Sequence, residues 1–467
     1  MNQLQDLRPL TFPSCSASQR RMGPFLAPKG RGKVETIGAR KDDQTLMNIC
    51  PRISFLPSEG VKIALANLGR TEDVQFSPDN RRLAIAGFNG NKVLILDIEI
   101  KTAKNKIFLS SEGWLEITSP SFSYPHGLFW IDSSTLIVAN RGGEAPIIRV
   151  PSEKPYNKTI EITPTETIRL GRDLLHTPGS VSVSKIGQDL FDVVICNNYA
   201  HNVSRHLLDG RNSFTLKGSC RLLAKGLDVP DSISHSHSGE WLAVSNHNKN
   251  AVFIFRNDSS LDEESEPIGT LQGMSYPHGL RFSQDDKYIL VADAGAPVVH
   301  VYKMDHRRWS GEHFPVHDLR IMDDETFSRG HINPEEGGPK GIDLSSDDHV
   351  LVASCEEEPI VFFDVRKILE PPFVRSRSHS NQHSNITDTE RMRSSLLGHI
   401  NLISKAEANA RIQIDVLRKI VAAGIQEQSL LTQQLNDLKN RGFLKQLTQA
   451  VTKLKNRFQD TKNLEWE

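Results

Sequence analysis

A six-residue string, Ser123-Tyr124-Pro125-His126-Gly127-Leu128, returns unchanged as Ser275-Tyr276-Pro277-His278-Gly279-Leu280 within the same 467-residue chain. Each copy leads into a similar apolar run, residues 135–140 after the first and 288–293 after the second. A chain with internal repeats of this size folds as an array of similar units, so the period governs the reading of every other motif.

Aligned on a leading residue, a small residue and an apolar one, six lines open at Glu72, His126, Gly179, Asp231, His278 and Lys340, spaced 54, 53, 52, 47 and 62 residues apart. Apolar and other positions alternate within each line, which is the period of a strand. Turn residues follow, as in Ser77-Pro78-Asp79-Asn80. They lead to second strands such as 136–139 and 289–292, whose near-continuous apolar character implies burial on both faces. Third strands are expected at 92–96, 251–255 and 360–363, and weaker fourth strands at 167–171 and 267–271. Residues 62–68 have the fourth-strand form without a repeat of their own, while the sixth repeat ends at Val365 with too few strands. The expected fold class is therefore all-β: a six-bladed β-propeller of four-stranded blades over residues 56–370, in which the N-terminal strand closes the last blade.

The flanks read differently. Residues 1–41 hold 8 Lys and Arg against 2 acids and residues 391–467 hold 13 against 7, which leaves −13 on residues 42–390 of a chain whose net charge is −1. Residues 1–55 lack any sustained period and read as a disordered basic tail. Residues 371–390, with Pro371-Pro372 and Ser-, Arg- and His-rich text, read as a linker. In 391–467 the apolar residues Leu431, Leu435 and Leu438, then Leu447, Val451, Leu454 and Phe458, step by 4 and 3 along one helical face. A C-terminal α-helical or coiled-coil segment follows from that spacing, suited to self-association, to a protein partner, or to an intramolecular hairpin.

The five cysteines show no paired spacing, which points to a reducing, cytoplasmic setting. Nothing resembles a membrane span or a secretory signal, and no motif for specific nucleic-acid binding is present.

The line with Ser77-Pro78-Asp79-Asn80, the Pro-His-Gly-Leu lines and the runs ending in Val138-Ala139-Asn140 resemble the repeats of lactonase-like, gluconolactonase (SMP-30)-like and NHL-type propellers, over residues 60–367. The resemblance implies a propeller, in a group that includes hydrolases, lyases and plain binding modules. In its gluconolactonase-like members a divalent metal sits in the channel on a Glu, an Asn and an Asp. Glu72 and Asp231 match two of these, whereas His126 stands where the Asn would be.

In a propeller the first strand of each blade lines the channel, so the six line-opening residues should ring one mouth. Two carboxylates, two imidazoles and an ammonium supply what metal ligation or acid–base work requires. Glu72, His126, Asp231 and His278 are the candidate ligands of one divalent metal, zinc or calcium. With Lys340 as an electrostatic clamp, they are also the candidate catalytic residues. A second ring is expected from the ends of the second strands, with Asn140, Asn197, Asn246 and Asp293, and Arg141 adjacent, as candidate contacts to a small polar ligand. His235 and His237, at alternate strand positions, read either as a metal clip or equally as one packed and one paired side chain, and Glu356-Glu357-Glu358 reads as a solvated loop. Two functions stay open: a noncatalytic binding platform for a small polar molecule or protein partner, and a metal-dependent hydrolase or lyase acting on a lactone or sugar acid.

Overall fold

The computed structural model of the chain describes residues 51–369, apart from 153–156, 170–173, 212, 307, 332 and 334. Most of the expected N-terminal tail, the linker and the C-terminal helical segment lie outside the described residues.

The described residues form a β-propeller of seven sheets, where the sequence led us to expect six. Six sheets carry a line as their first strand: β1 (Thr71–Phe76), β2 (Pro125–Asp132), β3 (Pro178–Lys185), β4 (Pro230–His235), β5 (Pro277–Phe282) and β6 (Ile342–Leu344). Each of these packs on the next, and β6 packs on β1. Between neighbours lie six hydrophobic clusters, such as Ala84, Val93 and Leu115 against Leu128, Leu136 and Val138. The seventh sheet carries no line, which is why the repeat did not count it. It joins Ser54–Pro57, in parallel, to the hairpin formed by Glu99–Ala103 and Lys106–Ser111.

Residues 62–68 are not the closing strand. They fall mostly in α1 (Glu59–Ala66), whose start is fixed by Ser58, its Oγ accepting from Val61 N, and by Glu59 in the first turn. Alternation over so short a run also satisfies the helical period: Val61, Ala64 and Leu68 are buried at steps of 3 and 4. Closure falls to the segment just before. Ile53 N donates to Phe362 O at 2.8 Å and Asp364 N to Pro51 O at 3.0 Å. Ile53 and α1 then pack into the cluster between the last and first blades, with Leu94, Val352 and Phe362.

Two local devices shape the channel mouth. The first is a register shift at the start of five inner strands, between Thr71 and Val74, Pro125 and Gly127, Pro178 and Val181, Pro230 and Ile233, and Pro277 and Leu280. A bulge there breaks the strict alternation and re-aims the line-opening side chain. The second is the glycine after each histidine: a Cβ on Gly127 would lie 2.6 Å from Ser180 Cα, and one on Gly279 2.4 Å from Lys340 O. Neighbouring inner strands meet closely because these positions have no side chain.

Candidate functional site

Glu72, His126, Asp231, His278 and Lys340 are all buried, and they meet at one mouth of the channel. His126 Nε2 and His278 Nε2 lie 3.7 and 3.8 Å from the same atom, Glu72 Oε2, and Lys340 Nζ lies 3.5 Å from it. Gly179 contributes no side chain, but its carbonyl lies 2.6 Å from His126 Nδ1.

The partners of each ring fix its protons. A carbonyl only accepts, so His126 Nδ1 carries hydrogen; Arg141 Nη2, 3.0 Å from Nε2, only donates, so Nε2 offers a lone pair. Burial, reinforced by the adjacent Arg141 charge, pushes the His126 pKa down to about 3, leaving the ring neutral at pH 7. His278 Nδ1 faces an acceptor, Asp231 Oδ2, at 3.1 Å, which turns the Nε2 lone pair toward Glu72. Burial lowers its pKa as well, against the pull of Asp231.

Burial alone would raise the Glu72 pKa, but Lys340, His126, Arg70 and His278 overcome it and bring it down to about 2. Arg70 pairs with Glu72 Oε1, yet neither carboxylate oxygen receives a well-directed hydrogen bond. Lys340 is shared with Glu336, whose Oε2 lies 2.8 Å from its Nζ. Glu356, expected in a solvated loop, lies 3.8 Å from Arg70, where burial raises its pKa.

Asp231 stands behind His278. Its Oδ1 receives Asn198 Nδ2 at 2.6 Å and Arg141 Nη2 at 3.1 Å, with His247 Nε2 at 3.5 Å. Burial raises its pKa, but His278 and His247 outweigh that and hold it well below the usual carboxylate range. Around this centre His247 stacks on Tyr276 at 4.1 Å, and Phe88 contacts Tyr124 at 5.2 Å.

At the ends of the second strands the expected residues turn to backbone, and three of the residues that follow them reach the mouth. Asn140, Asn197, Asn246 and Asp293 are buried and bind backbone: Asn140 Nδ2 donates to Ser121 O, Asn197 Nδ2 to Leu174 O, Asp228 N to Asn246 Oδ1, and Ser275 N to Asp293 Oδ2. Buried amides and carboxylates take such partners because an unpaired polar group costs free energy. The following residue clamps the loop through its own N–H: Arg141 to Tyr124 O, Asn198 to Thr177 O and His247 to Val229 O. Tyr124, Thr177 and Val229 precede prolines at φ of 58°, 55° and 56°, a left-handed conformation that needs such support. The same three clamping residues reach His126 or Asp231 with their side chains. Arg141, expected beside the second ring, lies at the mouth, and so do Asn198, Arg70 and Glu336, which stand outside the six lines and carry no repeat signal.

The donor set does not suit calcium, which takes six to eight oxygens; Glu72 has its Oε1 paired with Arg70, and Asp231 is occupied by Arg141 and Asn198. Among the described residues, two groups hold ligand atoms within 4.8 Å of one another: Glu72, His126 and His278, and Asp231, His247 and His278. In the second, His278 would use the nitrogen that faces Asp231 with its hydrogen. Only the first presents two imidazole lone pairs with a carboxylate.

No family model and no curated protein matches the chain. Among solved structures, a candidate 6-phosphogluconolactonase from Bacteroides fragilis is 15% identical over 53% of this chain and 69% of its own, with a TM-score of 0.38. Another from Bacteroides uniformis is 12% identical over 62% and 80%, with a TM-score of 0.41. Hydrazine synthase of Kuenenia stuttgartiensis is 15% identical over 63% and 83%, with a TM-score of 0.38. Likenesses this distant carry no argument about function. No helix among the described residues is long and apolar enough to cross a membrane.

Proposed function

We propose that the channel mouth binds a divalent transition-metal ion through Glu72, His126 and His278, and that the propeller is a binding module for a small hydroxylated or anionic molecule held against that ion. One observation carries this reading: two imidazole lone pairs and Glu72 Oε2 converge, and no well-directed donor reaches that oxygen. The buried Glu72 oxygens left this way cost about 1–3 kcal/mol each, and a cation held by Glu72 and the two rings, with Arg141 displaced from His126 Nε2, removes that cost. Imidazole with carboxylate suits zinc. The Gly179 carbonyl and the Asp231 carboxylate hold the two rings from behind, the outer-sphere arrangement that fixes the tautomer of metal-binding histidines.

When bound, such an ion would polarise a ligand oxygen and acidify a coordinated water. Arg141 and Lys340 flank the centre and favour an anionic ligand. Those two cations are also the feature that favours the second reading, a metal-dependent hydrolase or lyase acting on a lactone or sugar acid, since they could hold a carboxylate beside the reacting group. Binding alone is the better supported of the two, because every acid at the mouth already faces a cation or a histidine.

The test is metal titration of the EDTA-treated full-length chain, followed by calorimetry and thermal melting. One zinc per chain with a raised melting temperature is expected, and it should be lost in Glu72→Gln and His278→Ala. Calcium binding without zinc binding would overturn the donor assignment. No binding of zinc, manganese or calcium would overturn the metal reading.

A further inference from the structure

At the far ends of the same inner strands the channel opens into a second cavity of about 500 Å³, lined in part by Trp130, Ser182, Lys185, His235, Arg281 and Phe282. On its wall Ser182 Oγ lies 3.0 Å from His235 Nδ1, and His235 Nε2 lies 3.4 Å from Asp192 Oδ2. All three residues are buried. They come from two blades: Ser182 on β3, Asp192 on Leu190–Asn197 of the same sheet, and His235 at the end of β4. No local motif joins them, so a serine with a placed base is not visible along the chain.

The protons are again fixed by the partners. Burial by itself raises the Asp192 pKa, but the hydrogen bond from His235 and the charge of Arg205, whose Nε lies 3.0 Å from Oδ1, hold it low. An ionised carboxylate accepts, so His235 Nε2 carries hydrogen and Nδ1 keeps a lone pair for the Ser182 hydroxyl. Ser182 Oγ also accepts from His235 N at 3.1 Å, which holds it at the base. A nucleophile, a base that faces it, and a carboxylate that orients the base are the parts of a serine acyl-transfer site, recognised by geometry rather than by chain order.

We propose that Ser182, His235 and Asp192 form a nucleophilic site for small carboxylic esters in this cavity, separate from the metal centre at the other mouth. Ser182 Oγ bonds to the ester carbonyl carbon while its proton passes to His235 Nδ1. The ester C–O bond then breaks, and the leaving alcohol takes that proton. Water attacks the acyl-serine, giving its proton to His235, and the acid departs as Ser182 regains hydrogen. Ester and water become acid and alcohol, with Asp192 stabilising the transient imidazolium. Arg281 on the cavity wall is neutralised by Asp73 and Asp343, 3.2 and 3.0 Å away, so Lys185 is the wall's cation toward an ester that carries negative charge.

A fluorophosphonate probe, which phosphonylates an activated serine with loss of fluoride, tests the proposal on the full-length chain. Peptide mapping of the wild type should place one adduct on Ser182. Labelling should fall by at least about 100-fold in His235→Gln, in line with loss of a catalytic base, and persist in Ser184→Ala. Hydrolysis of p-nitrophenyl acetate should follow the same order. A wild-type map without an adduct on Ser182, or labelling of Ser182 that is unchanged in a folded His235→Gln variant, would overturn it. The wild-type map needs no variant to fold, and neither outcome bears on metal binding by Glu72, His126 and His278.

Discussion

His126 and His278, members of the second and fifth inner strands, stack across the channel with ring centroids 5.8 Å apart and planes 18° from parallel. Two rings from opposite sides of a ring of blades meet at this distance only where the channel is narrow. Bulges at the strand starts and bare glycines behind the histidines bring that about.

The cation beside His126 competes with any ion at the same lone pair. Arg141 Nη2 sits 3.0 Å from His126 Nε2, so a metal there must displace it. Arg141→Ala is expected to raise zinc affinity about tenfold, the effect of about 1.4 kcal/mol. Asp231→Asn, which weakens the grip on His278 Nδ1, should lower it about 10- to 100-fold. Calorimetric titration of the two variants should therefore move in opposite directions.

Stability should decline toward both acid and base. His126 and His206 are held neutral by burial at pKa values of about 3, so their contribution is complete above the unfolded value, about 6.5, and is lost as pH falls toward 3. His300 has the opposite sign: burial lowers it, but Asp293 and Asp318, 3.1 and 2.7 Å from its nitrogens, raise it to about 9. Its contribution is complete below about 6.5 and is lost as pH rises through 9. Urea denaturation between pH 4 and 10 should show both slopes, and His300→Gln should flatten the basic one while leaving the acid one.

Gly127→Ala and Gly279→Ala each place a methyl against backbone of the next blade, at 2.6 and 2.4 Å. Backbone in a closed ring yields little, so a loss of about 1–3 kcal/mol is expected from either, and more from the pair. Thermal melts measure it. A drop confined to zinc affinity, with no change in melting, would contradict the packing account.

Closure by residues 51–53 predicts a sharp boundary. A chain beginning at Glu59 loses the hydrogen bonds of Ile53 and Pro51 to the last blade and the burial of Ile53 between the last blade and the first. It should melt well below a chain beginning at Pro51, measured by circular dichroism.

The repeat was legible because strand pairing and two-sided burial force the same alternation into each unit, so the six lines and their second strands appear where the text places them. Residues 62–68 were misread because a seven-residue amphipathic run serves either period, and only the Ser58 cap and the seam between last and first blades select the helix. The seventh sheet left no trace because its strands belong to an excursion between lines. At the mouth, the line-opening residues were readable from position alone. Which residue of the second ring faces inward was not, since a one-residue step at a strand end reverses side-chain direction and the clamping hydrogen bonds decide it.

The sequence by itself determined an all-β repeat and the identity of the groups that open each line, because periodicity and turn chemistry are local properties. Only the tertiary structure decided that Glu72, His126 and His278 share one point, that Asp231 orients rather than joins them, and that Ser182 meets His235 at the opposite end. Those juxtapositions span up to 206 positions of chain, from Glu72 to His278. They depend on ring closure, inter-blade packing and bulge geometry, none of which is encoded in any single repeat.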